Sequence, residues 1–364
     1  MYYPNPRRNF LSRFMPVVLA PIFLLGTAPQ PSAQKMGDER IVIVIRHGLR
    51  APTETAAELT ALAGRRFPDW PVAPGELTPR GEARLGDMAR SLSVDLRASG
   101  FLDTKCYTHA TVWADARDRR TRRSGDIVAA ALGPCAGASR YSTSGHADPL
   151  FDATRANTCA LPKATPQHLP AQERASQIAA AQYLAYAQGL QFQAASGRKG
   201  SQLAEVRAAM QSHEKLVARQ FGTLSGAGAR TAALTQAITT FLDGRETTNS
   251  PLIANARVAA IIGHDTDLAG LRAVFGLDWT LPGQPDSTAP ATGIMFRLRV
   301  DPTSGRQMIR AIVYYQTLRQ IRTGLPLRAH RMVLHFNACH AGTACDWSKV
   351  RDAAINAVPA SCRW

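Results

Sequence analysis

Lysine is scarce in this chain: six of its 43 basic residues are lysine and the other 37 are arginine. Acidic residues are also few, 27 in all, which leaves a formal charge of +16. Arginine at this density suits bidentate capture of carboxylate or phosphate, because its planar fork matches two oxygens at once. Aromatic residues make up only 7% and do not interleave with the basic ones, so the stacking platforms of a nucleic-acid groove are missing and no nucleic-acid partner is expected. Beyond residue 33 no apolar run approaches the ~20 residues that a membrane span needs. Apolar residues at 45% and charged ones at 19% exclude disorder, and 364 residues leave room for one large domain or two ordinary ones. There is no internal repeat and no low-complexity tract.

Residues 1–33 read as an export signal. Arg7-Arg8-Asn9-Phe10-Leu11 lies in a positive leader, Met15 to Ala28 is an apolar stretch broken by Pro16 and Pro21, and Ser32-Ala33 is the cleavage site. The twin arginines point to export of a folded protein, although a general secretory leader carries the same residues; an uncleaved anchor is the competing reading. Six cysteines, at 106, 135, 159, 339, 345 and 362, agree with an oxidising compartment, periplasmic or secreted. Six cysteines allow fifteen pairings. Proximity favours Cys106 with Cys135 and Cys339 with Cys345, leaving Cys159 for Cys362. A zinc site from His335, Cys339, His340 and Cys345 is conceivable on residue types, but the spacing matches no standard ligand pattern, and no metal or other cofactor is expected.

Ile41-Val42-Ile43-Val44-Ile45 is β-branched throughout with no alternation, as in a parallel strand covered on both faces. It runs straight into Arg46-His47-Gly48-Leu49-Arg50. After a polar loop, Thr78 and Pro79 mark a helix start, with Leu85, Met88, Leu92 and Leu96 at helical spacing and Gly100 past its end. Ala110 to Ala114 reads as a strand, and Ser124 to Leu132 as a helix after a very basic stretch. Between residues 137 and 245 the periodicity is helical, over Ala175 to Ala194, Leu203 to Phe221 and Thr231 to Leu242. Val258 to Ile262 is a second apolar strand, ending in Gly263-His264-Asp265. Ile294 to Val300 and Met308 to Tyr315, joined by a turn, read as an edge hairpin. These elements describe an α/β fold in three layers, a mostly parallel central sheet flanked by helices. Residues 34–136 and 246–364 form its core, and residues 137–245 a smaller, mainly helical cap.

Two strands some two hundred residues apart thus end in polar clusters, and as parallel neighbours they would share one pocket at their carboxyl ends. An imidazole between guanidinium groups is poorly suited to a core and well suited to attack on a phosphorus whose oxygens the arginines hold. At these residues the chain resembles the histidine acid phosphatases, with their Arg-His-Gly-x-Arg-x-Pro sequence and a distant His-Asp pair. Thr78-Pro79-Arg80-Gly81, the stretch Asp118 to Gly125, Asp148-Pro149-Leu150-Phe151, the stretch Trp279 to Asp286 and Gln316-Thr317-Leu318 extend the resemblance to bacterial periplasmic phytases and acid phosphatases over essentially the whole mature chain. The cysteine pairing above fits the bridges of that branch.

The resemblance implies that His47 is the nucleophile and forms a phosphohistidine. It implies that Arg46, Arg50, Arg120 and His264 bind the phosphoryl group, that Asp265 protonates the leaving oxygen, and that Thr53 lines the substrate mouth. Elementary chemistry points the same way. An alkoxide leaves poorly without a proton donor, three guanidiniums depress the pKa of His47 and keep it nucleophilic in acid, and the arginines neutralise the charge that a metal would otherwise meet. An acidic optimum follows, in which Asp265 keeps its proton while His47 stays neutral. Asp267 departs from the asparagine usual in phytase-like members and is expected to add negative charge beside the acid, raising the pKa of Asp265 or weakening binding of a highly charged substrate. The stretch between Cys159 and His264, about a hundred residues, is shorter than in the fuller members, and a further cysteine pair is absent. The expected substrate is an inositol phosphate or another small phosphomonoester, taken by a monomer with no membrane contact after signal cleavage. A glucose-1-phosphatase type of sugar-phosphate phosphatase and a non-catalytic phosphate-ester binding protein are the rival readings.

Overall fold

The computed structural model of the protein describes residues 39–103, 105–106, 109–162, 170–193, 202–245, 250–253, 255–339 and 344–363. The export segment 1–33 with its cleavage site lies outside the described residues, as does His340. The strands are β1 (Arg40–Arg46), β2 (Ala110–Ala114), β3 (Val258–Gly263), β4 (Gly293–Val300), β5 (Gln307–Tyr315), β6 (His330–Leu334) and β7 (Cys345–Asp346). The helices are α1 (Ala56–Ala63), α2 (Pro79–Ala98), α3 (Arg119–Leu132), α4 (Pro170–Gln188), α5 (Gln202–Gln220), α6 (Leu224–Arg230), α7 (Ala232–Leu242), α8 (Asp265–Val274), α9 (Leu318–Thr323) and α10 (Trp347–Ala357).

Three layers follow from the apolar run of β1. Ile41, Ile43 and Ile45 pack against α2 and α3 on one face of the sheet, while Val42 and Val44 pack against α6, α7, α8 and α10 on the other. All eleven residues of α7 are buried, as expected of a helix with no polar face. Thus α7 covers the sheet directly, whereas α4 and α5 pack on each other and on α9 around Tyr183, Val206, Met210 and Leu318.

The sheet order is β2-β3-β1-β4-β5-β6, with β7 beside β5. It is parallel through β2, β3 and β1, and antiparallel from β4 onward. The β4–β5 hairpin, expected at an edge, lies inside the sheet: β4 pairs with β1, and β5 with β6 and β7. Both faces of the hairpin are apolar, with Ile294, Phe296 and Leu298 on one side and Met295 on the other, so it suits an interior place. The edge goes to β6, whose His330 and Arg331 are exposed, which discourages further pairing.

Helix α2 starts as expected, with Thr78 accepting the Gly81 N–H and Pro79 in the first turn. Two helix starts differ. The basic stretch from Arg119 is already helical, since arginine is a good helix former. Thr55 and Glu58 cap each other's backbone and nucleate α1 inside the expected loop. The cysteines pair as Cys106–Cys135, Cys159–Cys362 and Cys339–Cys345. The last bridge occupies two of the four ligands of the alternative zinc site.

Candidate active site

The three parallel strands end side by side, and each continues into a polar residue: β2 into Asp115, β3 into His264, and β1, through Arg46, into His47. Because β3 lies between the other two, His264 lies between Asp115 and His47. Its Nε2 donates to Asp115 Oδ2 at 2.7 Å, and its ring meets that of His47 edge-on with centroids 5.6 Å apart. A side chain at Gly263 is excluded, because a Cβ would lie 2.1 Å from Asp267 Oδ2 and 2.8 Å from the Phe151 ring.

His47 is 3% exposed, and its N–H bonds to the Gly263 carbonyl at 2.9 Å. Its Nδ1 lies 2.8 Å from the Gly48 carbonyl. A carbonyl only accepts, so Nδ1 carries the proton and Nε2 keeps its lone pair. Burial, then the charges of Arg50, Arg46, His264 and Arg120, hold the imidazole pKa well below its ordinary value. For His264 burial also opposes the charge, but the bond to Asp115 and the charges of Asp115 and Asp265, joined by that of Asp267 once it is ionised, outweigh it and raise the pKa. One histidine is thereby kept neutral and its neighbour cationic.

Arg50 and Arg120 line the same cavity as His47, His264 and Asp265. Burial and the neighbouring Arg120 and Arg46 push the Arg50 pKa down to about 10, the mark of a crowded cation. The Nε atoms of Arg50 and Arg120 are buried without a hydrogen-bond partner among the described residues. Of the arginines at the start of α3, Arg120 is the one that lines the cavity. Arg123 pairs with Glu82, Arg119 lies 3.8 Å from Glu76, and Arg122 bonds the Ala116 carbonyl. Thr53 also lines the cavity, with its hydroxyl donating to Glu54.

Arg46 lies behind this wall, 6% exposed. Its Nη2 pairs with Asp265 Oδ2 at 2.9 Å, and its Nη1 donates to Asp286 Oδ2 at 2.9 Å and to the Thr288 carbonyl at 2.6 Å. Burial favours the neutral acid at Asp265, but the charge of Arg46 foremost, with that of His264, holds its pKa well below the carboxylate range. Pairing with Arg46 thus favours the ionised form of Asp265, whereas its expected part in catalysis requires the proton. Asp267 differs from expectation too. It is buried, accepts the His264 N–H at 2.7 Å as part of the cap of α8, and has its pKa pushed up to about 7, chiefly by burial. In acid it adds no charge.

The cavity has a volume of about 800 Å³, and Arg117, Arg155 and Arg230 line it along with the strand-end residues. Asp115, Asp118 and His264 could bring ligand atoms within 4.8 Å of one another, but Asp115 is bonded to His264 and Asp118 to Arg120. Several functional residues escaped the sequence reading. Asp115 sits at a strand end like the histidines, and that position was the available signal. Asp286 and Thr288 carry no local signal, since their roles arise from contacts across the fold.

A sequence model of the histidine phosphatase superfamily (branch 2) matches residues 39–216. The chain is similar to the phytase AppA of Escherichia coli strain K12, with 26% identity over 390 residues, 86% of this chain and 90% of the relative. It is also similar to the solved Hafnia alvei phytase in complex with myo-inositol hexakis sulphate, with a TM-score of 0.77 and 25% identity over 90% of this chain and 98% of that one. The Citrobacter braakii phytase shares the fold, with a TM-score of 0.78 at 24% identity over 89% of this chain and 98% of that one.

Proposed function

Because this chain belongs to the histidine phosphatase superfamily, branch 2, we propose that it hydrolyses phosphomonoesters through a phosphohistidine at His47, with inositol phosphates as substrates. The observation that carries this reading is the commitment of the His47 Nδ1 proton to Gly48, which leaves a neutral Nε2 in a cavity walled by Arg50, Arg120 and His264. In this reading Nε2 attacks the phosphorus while Arg50, Arg120 and cationic His264 hold the equatorial oxygens. The P–O ester bond breaks, and the leaving alkoxide takes a proton from Asp265. Water then attacks the phosphohistidine, Asp265 receives its proton, the P–N bond breaks and inorganic phosphate departs.

Asp265 has to gain its proton after substrate arrives. A phosphoryl anion beside Arg46 offsets the guanidinium charge and so raises the carboxyl pKa toward the working range. The polyanion preference is supported by Arg117, Arg155 and Arg230, which line the cavity well beyond what one phosphate requires. The Hafnia relative was solved with a hexakis sulphate ester of inositol, a polyanion of that shape. Three disulfides support a place in the periplasm or outside the cell.

The test is release of p-nitrophenol from its phosphate ester at about pH 5 with a chelator present. His47 has its pKa lowered, so the required neutral form persists below pH 6.5 and the acidic limb of the profile should lie under that value. His47→Ala should lower turnover by about 10³-fold or more. A wild-type enzyme without activity under these conditions would sink the reading. Parallel assays of inositol hexakisphosphate and glucose 1-phosphate decide the substrate class, and a strong preference for the sugar phosphate overturns the inositol assignment.

A further inference from the structure

Arg46 is shared between two carboxylates of different character. Asp265 has a third of its side chain exposed, at 34%, whereas Asp286 has 3%. Both oxygens of Asp286 are engaged, Oδ2 by Arg46 and Oδ1 by the N–H and hydroxyl of Thr288 at 2.9 and 3.1 Å. The intervening Ser287 is clamped from the helical side, since its N–H and hydroxyl donate to Glu214 of α5 at 3.0 and 2.7 Å. Trp279 donates to the Ser287 carbonyl at 2.8 Å. The same loop runs back alongside the end of β1, where the Arg46 N–H bonds the Thr292 carbonyl at 2.9 Å.

We propose that Asp286 is the positioning residue of Arg46, and that Glu214, by clamping Ser287, braces that carboxylate from α5. The proposal rests on the phosphatase reading above. A guanidinium held on one edge by a fixed, buried carboxylate presents its other edge to Asp265 in a single orientation, and its charge is divided between two partners. Without Asp286 the whole charge falls on Asp265. The leaving-group acid then becomes harder to protonate.

The experiment compares rate against pH for two esters in the wild type and in Asp286→Asn. Inositol hexakisphosphate releases an alkoxide that needs the Asp265 proton, whereas p-nitrophenolate leaves without one. In Asp286→Asn the alkaline limb for the inositol ester should move toward acid by roughly one pH unit while that for the aryl ester stays in place. Parallel loss of rate on both esters with unmoved limbs overturns the proposal, because that is the outcome of a merely structural role. A wild type inactive on both esters instead refutes the underlying phosphatase reading. If circular dichroism shows Asp286→Asn to be unfolded, Glu214→Asp takes over, keeping the charge but losing the reach to Ser287. It should move the alkaline limb for the inositol ester toward acid in the same sense while the aryl-ester limb stays in place; unmoved limbs on both esters overturn the proposal.

Discussion

At the strand end, burial makes Asp267 behave as an amide would. A protonated carboxyl offers one acceptor and one donor, much as an asparagine side chain does, and asparagine is the residue usual there in phytase-like members. The consequence for stability has a definite sign. The free-chain carboxyl titrates near 3.8 and the folded one at about 7, so the folded state holds the extra proton between these values. Stability therefore falls as pH rises through that interval, and the full penalty, on the order of a few kcal/mol, applies above it. Asp267→Asn should leave the melting temperature nearly unchanged at pH 4 and raise it at pH 8. Thermal melts at the two pH values check this, and an equal change at both would show that Asp267 is charged throughout or in neither condition.

Among the elements, the start of α2 supports the nucleophile's loop. The Thr78 N–H bonds the Leu49 carbonyl at 3.1 Å, and the helix approaches so closely that a Cβ at Gly81 would lie 1.9 Å from that oxygen. Neither backbone can yield, so Gly81→Ala should destabilise by about 1–3 kcal/mol or more and displace His47; urea unfolding and p-nitrophenyl phosphate turnover measure the two effects together. Elements of this kind were legible in the sequence because their signals are local. The apolar runs of β1, β2 and β3 and the Thr78-Pro79 start needed no tertiary knowledge, and the strand-end rule was enough to bring His47 and His264 together. The position of the β4–β5 hairpin was not legible, since alternation does not say which strand a hairpin will pair with. Nor were the Asp286 and Thr288 contacts to Arg46, which join residues more than two hundred positions apart. The Arg46–Asp265 ion pair was not legible for the same reason, since the two residues meet only in space.

For the whole molecule, the Cys159–Cys362 bridge joins a cavity-lining loop to a turn that follows α10, closing 203 residues. A loop of that length makes the bridge worth about 5 kcal/mol on the chain-entropy account. Replacing both cysteines by serine should therefore lower stability by that order and raise the KM for inositol hexakisphosphate more than that for p-nitrophenyl phosphate, because the larger ester relies on the loop. Equal KM values before and after, measured below the melting transition, would show that the loop is held by other contacts. The bridge also sets a timetable. A ribosome makes Cys159 long before its partner, so one wall of the cavity stays unfastened until Cys362 emerges. The wall of the cavity that Cys159 anchors is therefore fastened only once the oxidation that seals the bridge has taken place.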